Sequence, residues 1–490
     1  MRFTACFVLA VSLGGASVTS GAGTSPRTLA PWPSGTPALW PAFAAEPLRR
    51  GLAIARANDW AGGGGHPGTL ALWHPGQAAP VRRAQPRPAA PAPAPGETIA
   101  IVNGRVLPVS GPPIERGTVL IVNGTIAAVG ATVTVPPGAR VIDAAGKVVT
   151  PGWLDSATQL GIVEIPSSAE GTADQTTTDL GLSAAFTVVD SFNGDTTLIP
   201  VTRVEGITRA VVMPDGKHVL LGQGAVIDLS GRQAPAAITK APVAMFAQLG
   251  EAGAAAEGGS RSSAILRLRE ALEDALDFMR NRTAWNNAQR RPFTRGRLDL
   301  EALGPVVRGE LPLVVQANRA SDLLSAMRLA AEFKLKLILM GAADGWRVAD
   351  QLAAAKVPVI VKPLTDIPSF DALGATLENP ARLSKAGVTV VLSSFETHNA
   401  RNLRQEAGNA ISNGMDRDAA LRAVTLTPAQ VWGIAARYGS LEAGKDADVV
   451  VWSGDPFELT TGPEHVFIQG REMPKDTRQR QLLERYRTIK

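Results

Sequence analysis

From Thr98 onward the chain reads as short apolar runs punctuated by glycine, whereas the residues before it carry no helical or strand period. IAIVNGRVLPV (99–109) and TVLIVNGTIAAVG (118–130) are β-rich and each is broken by Asn-Gly, the pair that favours the positive φ values of a type I′ hairpin turn. With VIDAAGKVVTPG (141–152), they predict a small antiparallel sheet over 98–148. A second β-rich patch, ADVVVWSGDP and HVFIQGREM, returns near the C-terminus. Two sheet fragments flanking the middle of a chain predict one split domain.

Between them the pattern alternates. Seven apolar strands are legible: VVTPGWL, GITRAVVM, APVAMFA, LPLVVQA, LKLILM, VPVIV and VTVVLSS. Helices separate several of them. In SAILRLREALEDALDFM, Ile265, Leu268, Leu272, Ala275, Leu276 and Met279 recur at three- and four-residue spacing and fall on one face. Ser321 is placed to cap the helix DLLSAMRLAAEF, which runs directly into LKLILM, the succession expected of a parallel sheet. The fold class that follows is α/β, a TIM-type (β/α)8 barrel over 150–430, one strand short of eight by this count. A split β-sandwich is expected beside it, from 97–149 and 431–475, with a basic tail at 476–490.

The N-terminus has a different character. Met1-Arg2, the apolar FTACFVLAVSLGGA and the small-residue SVTSGAG follow the order of a secretory signal peptide, giving residues 1–22 that role and the protein an exported, periplasmic or secreted location. Residues 23–96, ending in QPRPAAPAPAPGE, read as a disordered Pro/Gly/Ala-rich leader. Cys6 is the only cysteine and lies within the first segment, which excludes thiol catalysis, Cys-ligated zinc and iron–sulfur clusters from the mature chain. The net charge of +5 collects in the terminal segments without interleaved aromatics, so no nucleic-acid partner is expected. No later stretch reaches the ~18 apolar residues that a membrane span requires.

Three segments carry a resemblance. PGWLDSATQLGIVE (151–164) resembles the amidohydrolase signature Pro-Gly-apolar-apolar-Asp-x-His-x-His, and TLTPAQVWGIAARYGSLEAGKDADVVVW (425–452) resembles that superfamily's closing segment. The third is the β-rich opening with its VNG turns. LIPVTRVEGITRAVVMPDG and LGQGAVIDL add a likeness to the imidazolonepropionase-related branch. The resemblance implies a metal-dependent hydrolase of carbon–nitrogen bonds, with histidines and an Asp converging at the strand C-termini on zinc or a similar ion that activates water.

The residues standing at those places are different. The first His pair falls on Ala157 and Gln159, with the preceding Asp kept as Asp155; a later histidine falls on Gln316, the next strand ends on Met340 and Gly341, and the metal-binding Asp falls on Phe395. Only five histidines occur: His66 and His74 in the leader, His218 after GITRAVVM, His398 after the last strand, and His465, expected to be structural or solvated. Asp155, His218, Glu396 and His398 form the alternative catalytic set, adequate for a metal or for acid/base hydrolysis. Ser393 and Ser394 lack a G-x-S-x-G elbow, and GGGG at 62–65 lacks the context of a phosphate loop.

Two readings follow. In one, no cofactor is bound and the protein is a catalytically silent subunit. It takes a small molecule in the barrel mouth, or pairs with a metal-containing relative or a second copy of itself. In the other, it is a metal-dependent hydrolase of a cyclic amide or peptide-like substrate, using zinc or a similar ion held by the alternative set.

Overall fold

The computed structural model describes residues 97–164, 173–177, 183–364 and 369–487. Residues 1–22, read above as a signal peptide, with Cys6, the following stretch with His66 and His74, and the last three residues of the basic tail lie outside them.

Strands β1 (Thr98–Val106), β2 (Ile114–Val122), β3 (Thr125–Gly130), β4 (Arg140–Asp143) and β5 (Val148–Pro151) open the fold. At Gly152 the chain leaves this sheet, and a Cβ there would lie 2.2 Å from Thr208 Oγ1, so only glycine lets the backbone pass. The barrel follows: β6 (Trp153–Thr158), β7 (Ile207–Val212), β8 (Leu220–Asp228), β9 (Ile238–Gln248), β10 (Leu313–Ala317), β11 (Leu337–Gly341), β12 (Val359–Val361) and β13 (Val390–Leu392), in sequential spatial order. The chain then returns to the first sheet with β14 (Val449–Trp452), β15 (Pro463–Ile468) and β16 (Arg471–Glu472), so that the order is β16-β15-β14-β5-β1-β2-β3 with β4 also on β1. An eight-stranded α/β barrel beside a second sheet built from both flanks matches the expected fold class.

The seven strands legible in sequence are the seven that run parallel to one another. The eighth, β8, is antiparallel to both β7 and β9 and reaches the barrel through a direct return rather than a helical crossover. VVTPGWL, read as one strand, is the junction where β5 of one sheet gives way to β6 of the other.

Two layers of packing explain the alternation along the strands. Val314, Ile338, Met340, Ile360 and Val391 fill the barrel interior with Leu154, Phe246 and Trp432, while Leu313, Val315, Leu337 and Leu339 face the surrounding helices. In β14, Val449 and Val451 join Ile99, Ile101, Val119 and Ile121 in the small sheet's own core, and Val450 and Trp452 pack toward the barrel. Each such fully buried aliphatic contributes roughly 1.5–3 kcal/mol.

Four local expectations are corrected. Asn123-Gly124 makes the expected two-residue turn, with φ of 51° and 80°, between β2 and β3. Asn103-Gly104 does not turn the chain: β1 runs through it as a bulge, because β1 must pair β2 on one side while serving β4 and then β5 on the other. The sheet is therefore mixed rather than antiparallel. The helix Ala320–Phe333 is preceded by Arg319, so Ser321 lies inside its first turn, and Asp322 supplies the acidic residue there. On the helix Arg261–Arg280, Ser260 caps the N-terminus, and Ala264, Leu268, Ala271, Leu272, Ala275 and Phe278 form the buried stripe, with Leu276 and Met279 at its margin.

A buried cation fastens barrel to sheet. Arg209 on β7 is 1% exposed, pairs with Asp448 at 2.8 Å, and lies 3.5 Å over the Tyr438 ring, whose hydroxyl donates to Asp446.

Candidate functional site

The C-terminal ends of the parallel strands are where a barrel of this kind presents its chemistry. Asp155 on β6 is fully buried. Ser393 Oγ donates to its Oδ1 at 2.5 Å, Ser394 N donates to the same oxygen at 3.2 Å, and Ser394 Oγ donates to Oδ2. Burial pushes this carboxyl up to about 6, against these donors and the Ala157 backbone N–H, which favour its charged form.

Around it lie two more acids and a lysine. Lys362 Nζ bridges Glu396 Oε1 at 2.8 Å, and Leu364 N donates to Glu406 Oε2 at 2.9 Å. Burial raises the Glu406 carboxyl, Lys362 opposes the rise, and the charges of Asp155 and Glu396 reinforce it.

The remaining rim is apolar or already bonded. Ala157 is 0% exposed and belongs to the cluster that fills the barrel interior with Met340, and the half-buried Phe395 packs against the same cluster. Phe395 holds φ at 54°, a left-handed conformation that bulky residues rarely adopt and that packing must impose. Gln159 Oε1 accepts from Thr397 Oγ1 at 3.4 Å, and Gln316 stands half-buried on the interior side of β10, two residues after Val314.

His218 occupies another sector. It follows β7, is 6% exposed, and its Nε2 lies 3.2 Å from Thr177 O. With Gln175, Thr176 and Asp215 it lines a cavity of about 550 Å3. Gln248 Nε2 donates to the carbonyls of Gly216 and His218 at 2.9 and 2.8 Å and fixes this loop. His398 is half-buried, with no hydrogen-bond partner among the described residues, and no hydrogen bond or ion pair there joins His218 to Asp155, Glu396 or His398. Among the described residues no three His, Cys, Asp or Glu side chains are placed to share a metal ion.

The Amidohydrolase family profile matches residues 348–473, which span the last strands of the barrel and the return to the small sheet. The crystal structure of an amidohydrolase from Thermotoga maritima MSB8 is 28% identical, superposes with a TM-score of 0.71, and is covered over its whole length by 77% of this chain. The chain is similar to the amidohydrolase family. The amidohydrolase tasK of Hapsidospora irregularis is 23% identical over 366 residues, 69% of this chain, which spans 37% of that relative's length. A prolidase complexed with N-methylphosphonate-L-proline, 14% identical with a TM-score of 0.51 over 77% of this chain and all of its own, shares the fold.

The metal that the superfamily resemblance implies does not fit the residues present. Ala157 and Phe395 carry no lone pair, Gln159 offers an amide oxygen already accepting a hydrogen bond, and Asp155 is held by serine hydroxyls rather than open to a cation. Glu406 was not singled out in sequence, although a glutamate beside Leu403, Ala407 and Ala410 on the buried face of the helix Leu403–Ser412 is a signal of its own. His465 lies in the small sheet, with Nδ1 2.6 Å from Glu472 Oε1, and plays a structural part there.

Proposed function

We propose that this protein belongs to the imidazolonepropionase-related branch of the amidohydrolase superfamily, is catalytically silent and acts as an exported ligand-binding or partner subunit. Its inherited ligand positions are those now held by Ala157, Gln159, Gln316 and Phe395. The observation that carries the reading is the apolar filling of the mouth: Ala157, Met340 and Phe395 continue the packed interior of the barrel up to the level where a hydrolase needs water and donors. Asp155 supports it, since its carboxylate bridges strands instead of facing a substrate. The cavity beside His218 and Asp215, with room for a small molecule, is the ligand site this reading assigns.

A panel of cyclic amides, N-acyl amino acids and dipeptides, incubated with zinc-loaded protein, tests the proposal. Hydrolysis no faster than in buffer is expected; turnover abolished by His218→Ala or Glu396→Gln overturns it. That second outcome would favour a metal-dependent hydrolase of carbon–nitrogen bonds working through Asp155, His218, Glu396 and His398, a reading supported by the ion-paired Glu396 and the half-buried, unbonded His398 at the same rim.

A further inference from the structure

A cavity of about 1090 Å3 lies at the opposite end of the barrel and opens among the N-terminal ends of β9, β10, β11 and β12, away from the mouth. That volume is at the upper end of the ~300–1,000 Å3 typical of small-molecule sites.

Its charge is one-sided. Lys240, Arg328, Lys334, Lys336 and Lys356 line it against a single acid, Glu310, which is held by Arg308 at 2.7 Å. None of these five cations has an ion-pair partner among the described residues. Lys240 is half-buried. One N–H of its ammonium donates to Trp432 O at 2.9 Å, and its other two are left for an acceptor in the cavity. Gly433 makes room for that ammonium, since a Cβ there would approach Lys240 Nζ to 3.0 Å. Burial lowers the Lys240 pKa, and the charge of Lys336 lowers it further, a cost that a bound anion would relieve. Beside the cations the wall is apolar, with Leu324, Met327, Leu335 and Val431 half-buried and available for contact.

We propose that this cavity binds an amphiphilic anion, its carboxylate or phosphate head between Lys240 and Lys336 and its apolar body along Leu324, Met327, Leu335 and Val431. The site is independent of the mouth and of whether the mouth is silent. Two ammonium groups set the sign of the ligand, and the apolar wall sets its length and lack of further polarity. Neutral or cationic amphiphiles of equal length would meet the same wall without the head-group attraction.

Calorimetric titration of the full-length protein with dodecanoate and with dodecyl phosphate, both below their micellar concentrations, tests this. Saturable one-to-one binding of either is expected, the tighter of the two identifying the head. Lys336→Met should weaken it about tenfold, equivalent to ~1.4 kcal/mol, as should Lys240→Met, while Lys385→Met, which removes the same charge elsewhere, should not. Met327→Trp should block binding by filling the apolar wall. Lys336 is exposed, so its variant keeps the test interpretable if Lys240→Met proves unstable. Equal binding of dodecyltrimethylammonium, or dodecanoate binding unchanged in Lys336→Met and Met327→Trp, overturns the proposal.

Discussion

Ser393 donates its hydroxyl to Asp155 at 2.5 Å across the seam between the last and first strands of the barrel. The sheet runs from β6 to β13, and no ladder pairs those two ends among the described residues. The carboxylate, with Ser394 as its second hydroxyl donor, thus takes over part of the closure that backbone hydrogen bonds provide elsewhere.

Stability should depend on pH through Asp155. Its carboxyl is pushed up to about 6 in the folded chain from 3.8 for a free aspartate side chain, so the folded state holds the proton more tightly. The contribution of this group is therefore fully present below about pH 4 and is lost as pH rises to 6, on the order of 3 kcal/mol. Asp155→Asn cannot ionise. The stability of wild type relative to the variant should fall by about that amount between pH 4 and 7 in urea titrations, and a constant difference would contradict the assignment.

Removing the donors leaves the acid buried without them. Ser393→Ala and Ser394→Ala should each cost about 1–3 kcal/mol at pH 7, the range for stranding a buried acceptor. The losses should shrink in an Asp155→Asn background, a coupling that a double-mutant cycle reads directly.

Arg209 offers a test of how barrel and sheet are joined. Arg209→Met strands the buried Asp448 and should cost about 3–5 kcal/mol by urea denaturation. Adding Asp448→Asn should recover part of that loss, since no charge is then left without its partner.

Phe395→Ala should destabilise by about 1–3 kcal/mol, less than the ~3–5 kcal/mol of a fully buried ring because Phe395 is only half-buried. The truncation removes the ring from the interior cluster and adds no lone pair, so zinc uptake should stay as in wild type.

Much of this was legible in the chain. Seven parallel strands announce themselves because residues buried on both faces make continuous apolar runs, as in LPLVVQA and LKLILM. β8 hid because Gly222, Gln223 and Gly224 interrupt its run, and a Cβ on Gly224 would strike the Phe246 ring at 2.4 Å, which is why glycine stands there. Asn103-Gly104 and Asn123-Gly124 are the same dipeptide with different outcomes, settled by how many neighbours β1 must pair, which local sequence does not encode. The site divides the same way. That Ala157 and Phe395 carry no donor is visible in sequence, whereas their joint packing with Met340, and the capture of Asp155 by two serines 238 and 239 residues away, depend on barrel closure.

If the mouth holds no divalent ion, as proposed, mass-spectrometric metal analysis of the protein after zinc loading and exhaustive dialysis should find metal far below one equivalent per chain, unchanged in His218→Ala and His398→Ala. One tightly retained zinc per chain, lost in either variant, overturns the proposal.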